Sequence, residues 1–226
     1  MSRVVVFGTS QWGDLAHFYL THDSPHEVVG FTVDRDYLSQ SEHRGLPVCA
    51  FEEIQERHSP ADTALFIPIS FKRMNHFRAE RFQAAKEMGY QLISYVSSKA
   101  TTFPDFSCGE NCFILEDNTI QPFVEIGDDV VMWSGNHIGH HSTIGDHVMI
   151  TSQVVISGAC TVEPYCFFGV NATVRDETVI GRETVVGAAV AIMKDTEPFS
   201  VYRTTGTKPA GIRSDKLRSL SHKSEG

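Results

Sequence analysis

A chain of 226 residues with 41% hydrophobic and 21% charged residues has the apolar content of a folded core and lacks the composition of a disordered chain. Its formal net charge of -9, with no strong basic patch, argues against nucleic acid as the main ligand. No apolar run approaches the ~18 residues that cross a bilayer. The start Met1-Ser2-Arg3 leads straight into VVVFG with no signal-like stretch, and five cysteines, an odd number, speak against a disulfide framework. These features predict a soluble cytoplasmic protein.

VVVF (4–7) is a short β-branched run of the kind that makes a buried parallel strand. GTSQWG (8–13) follows as a glycine-rich turn, then a helix through Leu15, Phe18 and Tyr19. EVVGFTVD (27–34) reads as a second strand ending at Asp34, PVCAF leads into a short helix near 51–57, and ALFIPI (64–69) reads as a third inner strand despite Pro68. The segment 71–89 has helical spacing through Met74, Phe77, Phe82, Ala85 and Met88, and stops at Gly89. YQLISYV (90–96) reads as a fourth strand. Strand–helix alternation implies a parallel sheet with right-handed crossovers. The first domain, residues 1–100, is thus predicted as an α/β Rossmann-like half, too short for a full dinucleotide fold. GTSQWG opens a helix after a strand, where backbone N–H groups favour a phosphate; a lone GxxxxG without the full GxGxxG spacing carries little more than that.

From about residue 112 the rhythm changes. Every sixth residue from Ile114 to Ile192 is apolar, fourteen in succession, and the position two before each is mostly small or medium, as at Cys112, Val124, Ser142, Cys160 and Ala172. The position after is glycine at 127, 139, 145, 169, 181 and 187, which predicts a turn with positive φ there. A six-residue period fits neither helix nor simple alternation. It fits short strands joined by corners, the pattern of a hexapeptide parallel β-helix.

These repeats resemble the left-handed β-helix acyltransferases, in which three hexapeptides make one triangular coil of 18 residues. The order of parts is similar to one subgroup: the Rossmann-like half, the linker SSKATTFP, the repeats, then a tail with TGTKPA (205–210). That subgroup comprises the bacterial nucleotide-sugar N-acetyltransferases of bacillosamine and perosamine type and the sialic acid O-acetyltransferase-like proteins. The resemblance spans nearly the whole chain. It implies an all-β left-handed parallel β-helix over 101–226, ending in a short C-terminal tail. It further implies acetyl-CoA or another acyl-CoA as co-substrate with no metal, a nucleotide-linked sugar as acceptor, and a homotrimer with sites between neighbouring coils. Surface polysaccharide or glycoprotein glycan synthesis is the implied setting.

The stretch NHIGHHSTIGDH (136–147) holds His137, His140, His141 and His147. With 18 residues per coil, no two of them stack, so one chain does not gather three around a zinc. The resemblance places the catalytic base at His140, in GHHSTIG (139–145), where the family's acidic neighbour is replaced by His141. A carboxylate partner is then expected from Glu125, Asp146 or another subunit. Gly158, 18 residues on, is expected to leave space beside the imidazole and to offer its N–H to the oxyanion. His137 and His147 are expected to face water. Cys112, Cys160 and Cys166 read as core filler, and Asn118 and Asn136, 18 apart, as a stacked amide pair.

By the same resemblance the nucleotide-sugar contacts fall on Ser10, Gln11, Trp12, Asp34, Arg35 and Ser70. The thioester contacts fall on Met149, Val170 and Ala188, with Met149 where close relatives carry histidine. Lys208, with Arg175, Arg182, Lys194 and Arg203, suits the phosphates of coenzyme A. The resulting expectation is direct N-acylation of a nucleotide-linked amino sugar, bound between the two halves and deprotonated by His140. The alternatives are sugar O-acetylation, a zinc lyase of γ-carbonic-anhydrase type with a shared site, and a non-catalytic β-helix scaffold.

Overall fold

The computed structural model of the chain describes residues 2–209 and 211–216. Ala210, the last residue of the TGTKPA segment, and 217–226 of the expected tail lie outside them.

The first half contains β1 (Arg3–Phe7), α1 (Gln11–His22), β2 (Glu27–Val33), β3 (Glu42–His43), β4 (Leu46–Ala50), α2 (Ile54–Arg57), β5 (Thr63–Phe66) and α3 (His76–Glu87). Its sheet runs β3-β4-β2-β1-β5, parallel throughout except for the β3–β4 edge pair. With β1 central, both faces of VVVF are covered: Val4 and Val6 pack into one cluster, Val5 and Phe7 into another. That double burial is why the run is continuously apolar rather than alternating.

Two predicted elements are shorter than expected. The strand ALFIPI ends at Phe66, because Asn111 from the second half takes both Ile67 polar groups: N–H to Oδ1 at 2.8 Å and C=O from Nδ2 at 3.2 Å. The helix expected over 71–89 begins only at His76. Arg73, Met74 and Asn75 all have positive φ (53°, 53° and 66°), and a right-handed helix has no place for them.

The second half is a three-sided parallel coil. Two-residue strands pair in parallel at an offset of 18, as in Thr119↔His137↔Val155↔Thr173↔Ala191, and only the last pair of the first face, Val185↔Val201, closes at 16. The first face runs from Tyr95–Val96 to Val201–Tyr202, the second from Thr119–Ile120 to Ala191–Ile192, the third from Glu125–Ile126 to Val179–Ile180. The six-spaced apolar residues and the residues two before them fill one interior core, nearly all with no exposure at all. Cys112, Cys160 and Cys166 lie inside it, and all five cysteines are free. Asn136 Nδ2 donates to Asn118 Oδ1 at 2.8 Å, and Asn136 Oδ1 accepts from Val154 N–H at 2.8 Å, so the amide ladder leaves no buried donor orphaned.

The corner chemistry differs from the expectation in one respect. Positive φ falls not on the repeated glycines but three residues before each large apolar residue, at every sixth position from Asn111 to Ala189. All but Gly135 in that series carry a side chain. The repeated glycines answer a different need, close approach between coils: a Cβ on Gly139 would collide with the backbone of Ser157 and Gly158.

The two halves meet within residues 90–96. In 90–96, Leu92 bridges to Leu65 of the first sheet, whereas Tyr95–Val96 already pairs with Phe113–Ile114 of the coil. The outer side of the first face (Phe113, Val131, Met149) then shares a core with Val4, Val6, Ala16 and Leu20. Each such buried Val, Leu, Met or Phe side chain contributes about 1.5–3 kcal/mol. Asp23 reinforces the joint by accepting from Ser98 N–H, Tyr95 Oη and Ser97 Oγ; these bonds hold its carboxyl down at about 2. Among the described residues no helix is long and apolar enough to cross a membrane.

Candidate active site

His140 sits on the edge between the second and third faces, two residues past the inward Ile138. Its backbone N–H donates to Gln121 Oε1 at 2.9 Å, and its side chain is exposed. The ring lies on Gly158, one coil further on. A Cβ there would stand 2.7 Å from Cε1 and 2.8 Å from Nε2, so only glycine leaves room for the imidazole. Nε2 has no hydrogen-bond partner among the described residues and is left free to take a proton.

The partner of the other ring nitrogen is His141. The two Nδ1 atoms are 3.1 Å apart, so one donates and the other accepts. Neither carboxylate named from the sequence is engaged with His140: Glu125 is exposed, and Asp146 Oδ1 accepts Asp128 N–H at 2.8 Å. With His140 protonated on Nδ1, a neutral imidazole replaces the acidic neighbour, orienting the ring without supplying negative charge. His141 has φ of 58°, in the left-handed region that histidine tolerates better than most residues, and its ring packs 4.7 Å from Phe123.

Gly158 does not serve as the expected oxyanion donor. Its N–H already donates to Asp176 Oδ1 at 3.0 Å. This is a habit of the repeat, because Asp128 caps Glu110 N–H and Asp146 caps Asp128 N–H in the same way. Gly158 supplies space, not a donor.

Beside the histidine pair, one coil earlier on the same edge, lies a cavity of about 570 Å³. Phe103, Phe106 and Phe123 give it aromatic walls, Asp105 and Glu125 give it negative charge, and Gln121 joins it to His140. Phe123 is 73% exposed, a large cost unless something covers it. None of these residues except Glu125 was singled out from the sequence. Their one signal is Phe123 itself, a bulky aromatic at the left-handed corner, a place that Tyr165 also takes.

A second hollow opens at the C-terminal end of β1. Its two adjoining parts, about 460 and 150 Å³, share Phe7, Gly8, Ser10 and Phe77. The GxxxxG spacing has a steric reason: Gly8 turns with φ of 105°, and a Cβ on Gly13 would strike the Gly8 carbonyl. The first turn of α1 can therefore close on the loop. Of the residues expected here, Ser10, Trp12, Asp34 and Ser70 line the hollow. Gln11 does not, and Arg35 pairs with Glu53 and Glu52 outside it. Trp12 packs edge-on to Trp133 at 5.2 Å rather than standing free to stack on a base. Asp34 is 9% exposed, and burial pushes its carboxyl up against the pull of Arg81, whose Nε is 2.8 Å away. The sequence missed Lys72, Tyr37 and Phe77. The Lys72 ammonium lies 4.6 Å from the Phe77 ring centre and 5.5 Å from that of Tyr37.

The expected thioester contacts separate. Val170 and Ala188 are exposed and stacked 18 apart on the edge between the first and second faces, with Thr204 of the tail donating to the Ala188 carbonyl at 3.2 Å. Met149 is 2% exposed inside the core shared by the two halves, and cannot touch a ligand there. Lys208 is exposed in the tail. His137 is half-buried in a second-face strand, and His147, expected to face water, is hydrogen-bonded through Nδ1 to Asp129 at 2.8 Å. Among the described residues no three His, Cys, Asp or Glu side chains are placed to hold a metal.

Topology sets these parts on different sides of one chain. The hollow belongs to the half packed on the first face, whereas His140 stands on the edge opposite that face. The space between the two halves of a single chain, where the acceptor was expected from the sequence, lies against the first face and not against the edge that carries His140.

No protein-family model matches the chain. Among curated proteins it is 30% identical over 93 residues to the acyl-[acyl-carrier-protein]–UDP-N-acetylglucosamine O-acyltransferase of Burkholderia lata, over 41% of this chain and 36% of that one. The Burkholderia thailandensis protein of the same description is 29% identical over 93 residues, with the same two coverages. The chain therefore spans about a third of the length of the curated relatives it matches. Among solved structures, the acetyltransferase domain of PglB from Neisseria gonorrhoeae, in complex with acetyl coenzyme A, superposes with a TM-score of 0.75 at 18% identity, over 88% of this chain and 94% of that one. PerB from Caulobacter crescentus, in complex with CoA and GDP-perosamine, gives 0.76 at 20% identity over 89% and 93%. WeeI from Acinetobacter baumannii gives 0.75 at 18% over 89% and 96%. The chain shares the fold of these three structures along most of its length.

Proposed function

We propose that the protein transfers an acyl group, most simply acetyl, from coenzyme A to the amine of a nucleotide-linked amino sugar. The observation that carries this reading is the His140 imidazole: solvent-facing, oriented by His141, laid on a glycine, and bordered by a cavity with aromatic walls and two carboxylates. Aromatic faces and carboxylates attract an ammonium group and a sugar's apolar face. His140 Nε2 takes a proton from the amine as nitrogen attacks the thioester carbonyl, the C–S bond breaks, and the imidazolium returns that proton to the sulfur, so that coenzyme A leaves as thiol. The imidazolium so formed is the positive charge beside the carbonyl oxygen, at a corner whose amides are already bonded.

The separation of parts supports a site built between copies. His140 lies on one edge, Val170 and Ala188 on another, and the hollow at Ser10 and Asp34 on the first-face side. A homotrimer whose coils pack edge to edge lets one copy supply His140 and its neighbour the thioester edge and nucleotide. The likeness to structures holding CoA, and in PerB also GDP-perosamine, supports the same assignment of ligands. Within this reading the first half is Rossmann-like in use as well as in strand order, its helix N-terminus and Lys72 serving the diphosphate.

O-acylation is the second reading, favoured by the likeness of the coil to UDP-N-acetylglucosamine O-acyltransferases. Radiolabelled acetyl-CoA offered with UDP-, GDP- and dTDP-linked amino sugars and their hydroxy counterparts separates the two. Label on the amine alone is expected; label on the hydroxy sugars alone replaces N-transfer by O-transfer, and label on neither removes the transferase reading.

A further inference from the structure

The largest fully buried side chain among the described residues belongs to an arginine, and nothing proposed above uses it. Arg78 on α3 has no exposure. Its Nε is 3.0 Å from Asp129 Oδ1, and one terminal nitrogen donates to the carbonyls of Asp129 (2.9 Å) and His147 (3.0 Å), all on the coil. The other terminal nitrogen donates to the Ile69 carbonyl at 3.1 Å and to Asn75 Oδ1 at 3.3 Å. Nε faces that carboxylate without a hydrogen bond, but both terminal nitrogens are engaged, and losing the Asp129 carboxylate would leave buried charge stranded.

What Arg78 joins is specific. Ile69 adjoins Ser70, and two residues further on is Lys72, both lining the hollow at the end of β1. Asn75 closes the left-handed turn Arg73–Asn75 and donates to the carbonyls of Tyr165 and Cys166, at 3.3 Å each. Three successive side-chain-bearing residues in that region are costly and persist only when their surroundings impose them. Here the surroundings are Arg78 and the coil. The next turns of α3 present Phe77 to the hollow and Arg81 to Asp34. Further along the same coil edge, His76 stacks on Tyr165 at 4.4 Å and reaches Glu183 at 3.3 Å. The coil, a rigid ladder, thus grips the helix and loop that shape the hollow, through residues that never enter it.

We propose that Arg78, with Asn75, is a positioning residue for nucleotide binding: it fixes the 69–75 segment to the coil so that Ser70, Lys72 and Phe77 stand ready for a nucleoside diphosphate. This rests on the reading of that hollow as the nucleotide site. Coenzyme A, assigned to the coil edges, is outside its reach, and this gives the test. Calorimetry on the full chain measures UDP, GDP and dTDP, and separately coenzyme A, for wild type, Arg78→Met and Asn75→Gly. Glycine adopts the left-handed turn freely, so Asn75→Gly removes the clamp with little risk to folding and decides the matter if Arg78→Met does not fold. The expected result is nucleotide affinity weakened by about tenfold or more, the cost of groups misplaced by a fraction of an ångström to an ångström, with coenzyme A affinity unchanged. Nucleotide affinity retained in the folded variants overturns the positioning role. Parallel loss of both ligands reduces it to general stability and overturns it equally. A wild type that binds none of the three nucleotides overturns the nucleotide reading of the hollow, and the proposal with it.

Discussion

At the edge after the second face the repeat reads Gly139-His140-His141-Ser142; at the next edge it reads Gly145-Asp146-His147-Val148. The backbone is the same at both, with positive φ at His141 and at His147. At the first edge His140 stands where the second has Asp146, and its side chain is exposed among the described residues. At the second edge α3 packs down, Asp129 takes the His147 ring, and Arg78 takes Asp129. His141 and His147 share a place in the hexapeptide, yet one packs on the exposed Phe123 and the other is bonded to Asp129, so the surroundings differ by what lies over each edge. The energies diverge accordingly. Breaking a buried pair such as Arg78–Asp129 costs about 3–5 kcal/mol, whereas an exposed pair contributes about 0–1 kcal/mol.

The sharpest way to break the comparison is to remove one histidine from each edge. His140→Ala is expected to lower kcat by about 10²–10⁴, the range of general-base catalysis, with coenzyme A affinity and the urea midpoint unchanged. His147→Ala is expected to do the reverse, lowering the urea midpoint while the folded fraction keeps kcat. Equal effects on kcat would erase the distinction between the edges. Asp129→Asn removes the charge that pairs with Arg78 and should cost about 3–5 kcal/mol of stability in urea unfolding. A loss under about 1 kcal/mol would mean that the guanidinium finds other partners.

Gly158→Ala tests the uncovered edge with a milder change. The new Cβ would sit under 3 Å from two ring atoms of His140, and the ring, unlike the coil backbone, is free to swing out. The expected outcome is kcat lower by about tenfold with thermal stability held, because only the base has moved. Unchanged kcat would show that the ring position on Gly158 is not the working one.

The coil was almost wholly legible in the sequence, because a side chain that must point inward every sixth residue leaves a period no other fold leaves. The interior positions, the 18-residue offset and the Asn118–Asn136 ladder all follow from it. What escaped was decided by contacts between coils and between halves. The repeated glycines looked like turn residues, yet they are places where two backbones approach too closely for a Cβ. Met149 matched a ligand position by the resemblance but lies under the first half, which a repeat pattern cannot reveal. Gly158 N–H looked free until Asp176, one coil on, was seen to cap it. In the first half the GxxxxG loop was readable. Lys72 and Phe77 were not, because the left-handed turn at 73–75 ends a helical pattern that the sequence carries straight through.

The smallest expected effect bears on why the uncovered edge carries two histidines. His141 occupies a left-handed position that aspartate also tolerates, so His141→Asp restores a carboxylate beside His140 without bending the corner. In the present pair the acceptor for a proton on His140 Nδ1 is a neutral ring, and the imidazolium formed in turnover gains a hydrogen bond but no opposite charge. A carboxylate adds that charge. It stabilises the protonated base, so His140 stays protonated to higher pH and the acid side of the kcat profile moves upward. The pair is exposed, and a contribution of up to about 1 kcal/mol corresponds to less than about 0.7 pH units. Rates measured from pH 5 to 9 with a saturating amino sugar resolve such a shift, and His141→Gln, which replaces the ring without charge, should leave the profile in place. A shift toward lower pH in the aspartate variant, or none, would mean that His141 does not hold the base during turnover. The uncovered edge would then work with a single histidine and its glycine floor.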